Sequence, residues 1–160
     1  MYAHGNEPSF HIPYLFAAVG SPAQTQFWVR KTAEELFSSA PDGLPGDEDN
    51  GSLCAWYIFA CMGMYPLCPG VPEYVIGSPM FERMTLHLEN GKQIVIEADH
   101  NADGNRYVQS VHVNNQAHQP LFFSHDQLMN GAVIHFEMSN TPKDTDVENK
   151  DLPYSMSVRR

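Results

Sequence analysis

The spacing of apolar residues changes near residue 66, and this change constrains the fold more than any other feature of the sequence. Up to that point apolar residues recur every three or four positions, as in amphipathic helices. Beyond it they alternate with polar residues, as in half-buried strands. The pattern predicts an α+β protein, with a helical segment over residues 1–66, an antiparallel β unit over 67–141, and an extended or disordered tail over 142–160.

Three helices are expected in the first segment. The first begins after Pro8, with Pro13 in its first turn, and ends at Gly20. The second begins at Pro22, because proline suits the first turn of a helix. Residues 40–51 are rich in glycine, proline and acids, so they are expected to form a loop. The third helix, over 52–64, is apolar on nearly every side, which predicts a helix buried between neighbours.

Turn residues organise the second segment. Asn90-Gly91 lies between two alternating runs, which predicts a β-hairpin. Asn114-Asn115 marks another turn between strands, and residues 124–131 resemble one helical turn closed by a glycine. Strands are expected over 84–88, 94–96, 107–113 and 133–138.

Charge and composition exclude several classes of protein. The 160 residues carry 19 acids against 9 Lys and Arg, a formal charge of −10, which argues against nucleic acid as a partner. The longest apolar stretch, 53–64, is too short to span a membrane. The first ten residues lack the basic start and apolar run of a secretory signal. Three cysteines without a zinc-type spacing indicate neither a disulfide framework nor a zinc site.

The loop Gly46–Gly51, with sequence GDEDNG, is the first candidate for chemistry. Asp47 and Asp49 are two residues apart, so in an extended segment both side chains can point to one side while Glu48 points away. Two carboxylates in one cleft are the usual equipment for acid and base work on glycosidic bonds. The alternative is that these acids cap and stabilise the start of the third helix.

The second candidate is the segment 5–16, in which Asn6 and Glu7 precede a proline and a helix. Amide and carboxylate oxygens suit calcium or a hydroxylated ligand. The alternative is a capping segment with a solvated Glu7. His11 in the same segment is by itself more typical of a structural histidine. Trp56 is most simply a core residue, although its closeness to the acidic loop would also suit the floor of a sugar site.

Four ordered motifs carry a resemblance to a known family. They are GNEPSFHIPYL at 5–15, PDGLPGDEDNG at 41–51, AWYIFACMGMYPLCPG at 55–70 and YVIGSPMF at 74–81. Together they closely resemble the C-terminal part of glycoside hydrolase family 92, the calcium-dependent, exo-acting α-mannosidases. The likeness is specific up to about residue 81 and looser through the β half.

The resemblance implies an inverting hydrolase that removes terminal α-mannose, with α-1,2 linkages expected first. The helical segment would be part of an (α/α)₆ barrel and the β unit sandwich-like. Asp47 and Asp49 would be the general-base aspartates, one taking a proton from water and the other supporting it. The resemblance also assigns roles to further residues: Asn6, Glu7, His11 and Trp56 in substrate binding, and Asn6, Glu7 and Asp49 in calcium binding.

The family's general acid lies upstream of the GNEP motif, so the resemblance implies that this chain carries the base without the acid and is inactive alone. Mannose-containing glycans are the expected partners. A further expected partner is the missing N-terminal portion of the same enzyme, or a second copy of the chain that associates through exposed barrel faces. Relatives are typically exported by bacteria, which implies an extracytoplasmic location.

Two other classes remain open on sequence grounds. The chain would suit a non-catalytic module that binds mannose or calcium. It would equally suit a structural cap of a larger protein, which would neither bind nor turn over a sugar.

Overall fold

A computed structural model of the chain describes residues 2–143 and 146–156. The predicted first helix is instead broken into short pieces: 3₁₀ turns at Glu7–Ser9 and Ile12–Tyr14, then α1 at Leu15–Ala18. Pro8 and Pro13 each lie in one of the 3₁₀ turns. Because proline lacks an amide hydrogen and fixes its own φ, two such residues favour turns over one long helix.

The second and third helices form where the sequence predicts them. Helix α2 spans Pro22–Leu36, and α3 spans Ser52–Met62 and ends at Gly63, whose φ is +72°. Helix α3 is not buried on all sides, which corrects the expectation from its apolar sequence. Leu53, Trp56 and Ala60 face the core, while Ile58 on the opposite face is 55% exposed.

The strands form two sheets. A three-stranded sheet has the order β1-β2-β7, and a five-stranded sheet has the order β3-β4-β8-β5-β6. The strands are β1 Met64–Tyr65, β2 Glu73–Ile76, β3 Arg83–His87, β4 Gln93–Asp99, β5 Tyr107–Val113, β6 Gln116–Ala117, β7 Phe122–Ser124 and β8 Ala132–Ser139. All neighbouring pairs are antiparallel except β4 and β8, which run parallel. The α+β fold class with antiparallel sheets is thus confirmed.

The predicted turns are confirmed as well. Gly91 has φ +79° in the hairpin between β3 and β4, and Asn114 and Asn115 have φ +51° and +65° between β5 and β6. Residues His125–Met129 form α4, whose first turn is capped by the hydroxyl of Ser124 accepting a hydrogen bond from the amide of Gln127. Glycine and asparagine tolerate these left-handed conformations better than other residues do.

Two hydrophobic clusters lie side by side. One lies under the helices, and the other fills the five-stranded sheet and its surroundings. Val75 of β2 belongs to the helical cluster, whereas Met62 and Met64 belong to the β cluster, so packing crosses the predicted boundary at residue 66. Arg30 of α2 also bridges the two parts: it is only 3% exposed, and its guanidinium donates to the carbonyl of Pro79.

The described part of the tail follows the surface of the protein. Residues Asn149–Asp151 form a 3₁₀ turn, and the carbonyl of Asp151 accepts a hydrogen bond of 2.7 Å from the amide of Leu121. Leu152 is buried, with its side chain near Gly20. The prediction for residues 144, 145 and 157–160 lies outside the described residues. Among those that are described, no helix is long and apolar enough to cross a membrane.

Candidate functional site

Two glycines bring the candidate loops into contact. A Cβ atom on Gly5 would lie 2.5 Å from the carbonyl oxygen of Pro45, and one on Gly46 would lie 2.5 Å from the carbonyl oxygen of Gly5. Such distances do not occur between real Cβ atoms and backbone, so both positions require glycine. The GNEP segment and the acidic loop therefore touch backbone to backbone, although some forty residues separate them in sequence.

Glu7 and Asp49 meet at this contact. A hydrogen bond that the protonated Asp49 carboxyl donates to the Glu7 carboxylate, together with the charge of Glu7, raises the pKa of Asp49 above its ordinary value. Both residues are exposed. Two carboxylates so close repel each other when both are ionised, and a shared proton or a bound cation relieves that repulsion. The structure thus brings together two of the residues that the sequence singles out.

Glu48 has a different role. Its carboxylate accepts hydrogen bonds from the amides of Gly51 and Cys54, the latter at 3.1 Å, at the start of α3. The bond from Cys54, followed by smaller contributions that include the Gly51 amide, lowers the pKa of Glu48. Capping is the alternative interpretation for the acids of this loop. This interpretation applies to Glu48, which caps α3, whereas its neighbour Asp49 contacts Glu7.

The remaining predicted site residues on the surface are Asn6, His11 and Asp47, and all three are exposed. Asn6 precedes the turn that contains Glu7, and His11 precedes the next 3₁₀ turn. Asp47 follows the tightly packed Gly46. The extended geometry assumed for the aspartates ends at Asp49, which has φ +50°. That Asp47 and Asp49 point into one pocket stays a prediction.

Trp56 is a core residue, which corrects its assignment to substrate binding. It is only 1% exposed, and its indole N–H donates to the carbonyl of Phe10 at 3.0 Å. Phe37 stacks on the same ring, with centroids 5.7 Å apart. A sugar cannot reach a ring enclosed in this way, so Trp56 supports the site from below.

Sequence reasoning missed His4. It is 2% exposed, its ring centroid lies 4.0 Å from that of Trp56, and its Nδ1 lies 2.5 Å from the hydroxyl of Tyr2. Burial lowers the pKa of His4 to about 4, so the ring is neutral at physiological pH. The one available signal was its position directly before the GNEP motif.

The oxygen donors at the contact suit a hard cation. Carboxylates of Glu7 and Asp49 and the side-chain oxygen of Asn6 are the ligand types that calcium takes, although it takes six to eight of them. Within the described residues, no group of three or more His, Cys, Asp or Glu side chains is placed to bind a metal ion. The donor chemistry fits calcium, but these residues can supply only part of a coordination shell.

Comparison with known proteins identifies the family. The family model for the "Glycosyl hydrolase family 92 catalytic domain" matches residues 1–140. The structure of the family GH92 α-mannosidase BT3965 from Bacteroides thetaiotaomicron, in complex with mannoimidazole, is 35% identical in sequence. It has a TM-score of 0.94, over 97% of this chain and 20% of that protein.

Two further relatives agree. The structure of the family GH92 inverting mannosidase BT2199 from Bacteroides thetaiotaomicron is 42% identical, with a TM-score of 0.91, over 98% of this chain and 21% of that protein. A curated relative from Arthroderma benhamiae, called an uncharacterized secreted glycosidase, is 28% identical over 96% of this chain and 20% of its own length. The chain spans about a fifth of the length of each relative.

Proposed function

The chain belongs to glycosyl hydrolase family 92, and we propose that it forms the general-base side of an inverting exo-α-mannosidase site. The observation that carries this proposal is the backbone contact of Gly5 with Gly46, which brings the segment of Glu7 against the loop of Asp47 and Asp49. Mannosidases are named among its structural relatives, one of them inverting, which supports this choice of substrate and stereochemistry.

In this proposal the two aspartates activate water. One of Asp47 and Asp49 takes the proton from a water molecule as it attacks the anomeric carbon, and the other holds that water in place. Inversion requires a general acid on the other side of the sugar, with the two carboxyl groups roughly 6.5–9.5 Å apart to admit the water. We propose that this acid lies in a part of the catalytic domain outside these 160 residues.

We also propose that Asn6, Glu7 and Asp49 contribute oxygen ligands to calcium. Bound there, the ion would supply positive charge that attracts sugar hydroxyl groups and relieves the repulsion between Glu7 and Asp49. His11, which is exposed beside this segment, is proposed to contact the sugar. The remaining calcium ligands would come from water, the substrate, or the rest of the domain.

The surroundings of the site suggest where that remainder packs. Tyr2, Ile12, Phe16 and Trp28 line a shallow apolar groove on the outside of the helical segment. Ile58 on α3 is also exposed. We propose that these faces belong to an (α/α)₆ barrel and are covered by its other helices, or by a second copy when those are absent. An extracytoplasmic location in a bacterium is proposed too, and the secreted relative supports export.

The function is tested with a complete catalytic domain, made by exchanging this chain for the matching fifth of BT3965. We expect this protein to release mannose from an α-1,2-linked mannobiose, whereas the 160-residue chain alone releases none. Asp47→Asn and Asp49→Asn should each lower kcat by about 10²- to 10⁴-fold. Asp103→Asn, at an exposed acid far along the chain, is the control and should leave kcat unchanged.

Calcium binding is measured separately by calorimetry on the chain and on the complete domain. Glu7→Gln and Asp49→Asn should weaken binding, and Asp103→Asn should not. Activity that survives the double variant Asp47→Ala, Asp49→Ala would refute the base assignment. Binding of mannose without turnover by the complete domain would favour a non-catalytic sugar-binding module instead.

A further inference from the structure

The GNEP segment is a short loop whose apex carries Asn6 and Glu7. The hydroxyl of Ser9 lies 2.5 Å from the carbonyl oxygen of Ala3 and 2.7 Å from that of Asn6, and the Ser9 amide donates to the same Asn6 carbonyl. These contacts close the loop on itself. The exposed apex therefore cannot move far unless the residues at its two ends move.

Both ends of this loop rest on Trp56. His4 precedes the loop, with its ring centroid 4.0 Å from that of Trp56, and Phe10 follows it, at 6.5 Å. The two end residues also contact each other, with ring centroids 5.1 Å apart. The hydrogen bond from the Trp56 indole to the Phe10 carbonyl adds a directional link that packing alone would not provide.

Trp56 is equally fixed to the acidic loop. It lies one turn into α3, and the first turn of that helix is joined to the loop by Glu48, which caps the Cys54 amide, and by Ser52, whose hydroxyl donates to the Asp49 carbonyl at 2.8 Å. A helix is rigid over so short a distance. Trp56 thus sits between the backbone of Asp49 and the loop that carries Glu7.

His4 completes the arrangement as a buried ring. It is 2% exposed, and its Nδ1 lies 2.5 Å from the Tyr2 hydroxyl. Its Nε2 is buried and, within residues 2–143 and 146–156, has no hydrogen-bond partner. The imidazole meets the indole at an angle of 67°, an edge-on arrangement that is favourable between aromatic rings. A phenylalanine side chain could fill this space but could not form the hydrogen bond with the Tyr2 hydroxyl.

We propose that His4 and Trp56 are positioning residues, which hold the loop of Glu7 at a fixed distance from Asp49 without touching the substrate. This inference rests on the proposed function for its effect on catalysis. Its structural part, that the two loops are fixed through one indole, is independent of any activity. The positions were not recognisable as a pair from the sequence, since they are some fifty residues apart.

The structural part is tested on the full 160-residue chain by hydrogen–deuterium exchange. Trp56→Phe keeps an aromatic ring and removes the indole N–H, and His4→Phe removes the bond to Tyr2. In each variant, we expect exchange in residues 5–10 and 47–54 to accelerate together, by about fivefold or more. Val29→Ala is the matched control, because Val29 is fully buried in the same cluster. It should not accelerate these two segments selectively.

The functional part uses the complete domain described above. We expect Trp56→Phe and His4→Phe to lower kcat/KM by about tenfold or more, because small displacements of reacting groups are costly. Val29→Ala should stay within about twofold of the parent at matched thermal stability. His4→Gln keeps a side-chain amide that can bond the Tyr2 hydroxyl, so it should retain more activity than His4→Phe, in proportion to its exchange protection.

The outcomes separate the two proposals. An inactive parent domain would refute the proposed function. Faster exchange confined to residues 5–10 and 47–54 in the Trp56→Phe and His4→Phe variants would still support the fixed contact between the two loops. An active parent with exchange raised evenly along the chain would overturn the positioning role and leave the function standing. Equal losses in kcat/KM for Val29→Ala and Trp56→Phe would overturn it as well.

Discussion

Gly46 shows how much a single residue without a side chain can decide. Replacing it by alanine would place a methyl group 2.5 Å from the carbonyl oxygen of Gly5, so the two loops would have to separate. We expect Gly46→Ala to lower the free energy of unfolding by about 1–3 kcal/mol, as overpacking usually does. Urea denaturation followed by circular dichroism measures it.

Gly104→Ala is the matched control for this change. Among the described residues, no atom other than those of Gly104 and its two chain neighbours lies within 4 Å of the position that the new Cβ would take, and the φ of Gly104 is not in the left-handed region. We expect an effect within about 0.5 kcal/mol, as at most surface positions. Equal losses in the two variants would show that the close approach of the two loops does not constrain residue 46.

Individual residues of the site differ in how far sequence predicts them. Asp49 was identifiable from its spacing to Asp47 in an acid-rich loop, and Glu7 from its position beside Asn6 and before a proline. Trp56 was ambiguous, because every side of α3 is apolar and its periodicity with Leu53 and Ala60 is hidden. Its burial depends on Phe10 and Phe37, which reach it from distant parts of the chain.

At the scale of elements, turns and caps were the most predictable features. The Asn-Gly hairpin and the α4 turn formed as expected because glycine, asparagine and an N-terminal serine act through local geometry. The first helix was not predictable as a row of turns. Its apolar spacing was helical, and only the competing effect of Pro8 and Pro13 decided against continuity.

The connection between β6 and β7 gives this fold a pH dependence. Burial lowers the pKa of His118 below its ordinary value of 6.5, against the opposing effects of a hydrogen bond to the Phe122 carbonyl and the charge of Asp151. The unfolded chain therefore takes up a proton first as the pH falls. Stability from this residue is complete above pH 6.5 and declines below it, until the folded histidine is protonated too.

His118→Gln removes this titration and retains a side-chain N–H. We expect the wild-type protein to lose more unfolding free energy than the variant between about pH 7.5 and pH 5, measured by urea denaturation at each pH. The remaining histidines are common to both proteins and cancel in the comparison. Parallel curves for the two proteins would contradict the assignment.

At the scale of the whole molecule, Arg30 joins the helices to the β unit. Its guanidinium donates to the Pro79 carbonyl, to Asn101 Oδ1 at 3.1 Å, and to Glu34 at 2.8 Å. Arg30→Met keeps the length of the stem and removes every donor. We expect a loss of about 2–4 kcal/mol in unfolding free energy, because buried acceptors and a charge lose their partner.

Lys31→Met on the next position of α2 is the comparison for Arg30→Met. Lys31 forms an ion pair with Glu35 on the exposed side of the helix. Such surface pairs contribute about 0–1 kcal/mol, so we expect little change in thermal or urea unfolding. A similar loss in both variants would mean that Arg30 contributes through helix formation and not through the joint between the two units.

The overall class of the fold was predictable, and its strand order was not. Apolar residues spaced every three or four positions indicate helices, and those spaced every two positions indicate strands. This distinction is local and does not depend on which segments pack together. The parallel pairing of β4 with β8 depends instead on which edges of the sheet are free when distant segments meet. Alternation along a strand carries no information about that choice.

The position of β8 has a consequence for synthesis on the ribosome. The strand lies between β4 and β5, yet of the eight strands in the described residues it is the last to be made. The strand pairs β3-β4 and β5-β6 are therefore made before the strand that joins them. Until β8 pairs with both, each presents an open edge that other nascent chains can bind. A polypeptide released before residue 132 would keep both edges open and would be prone to aggregate, whereas one that includes β8 can pair them.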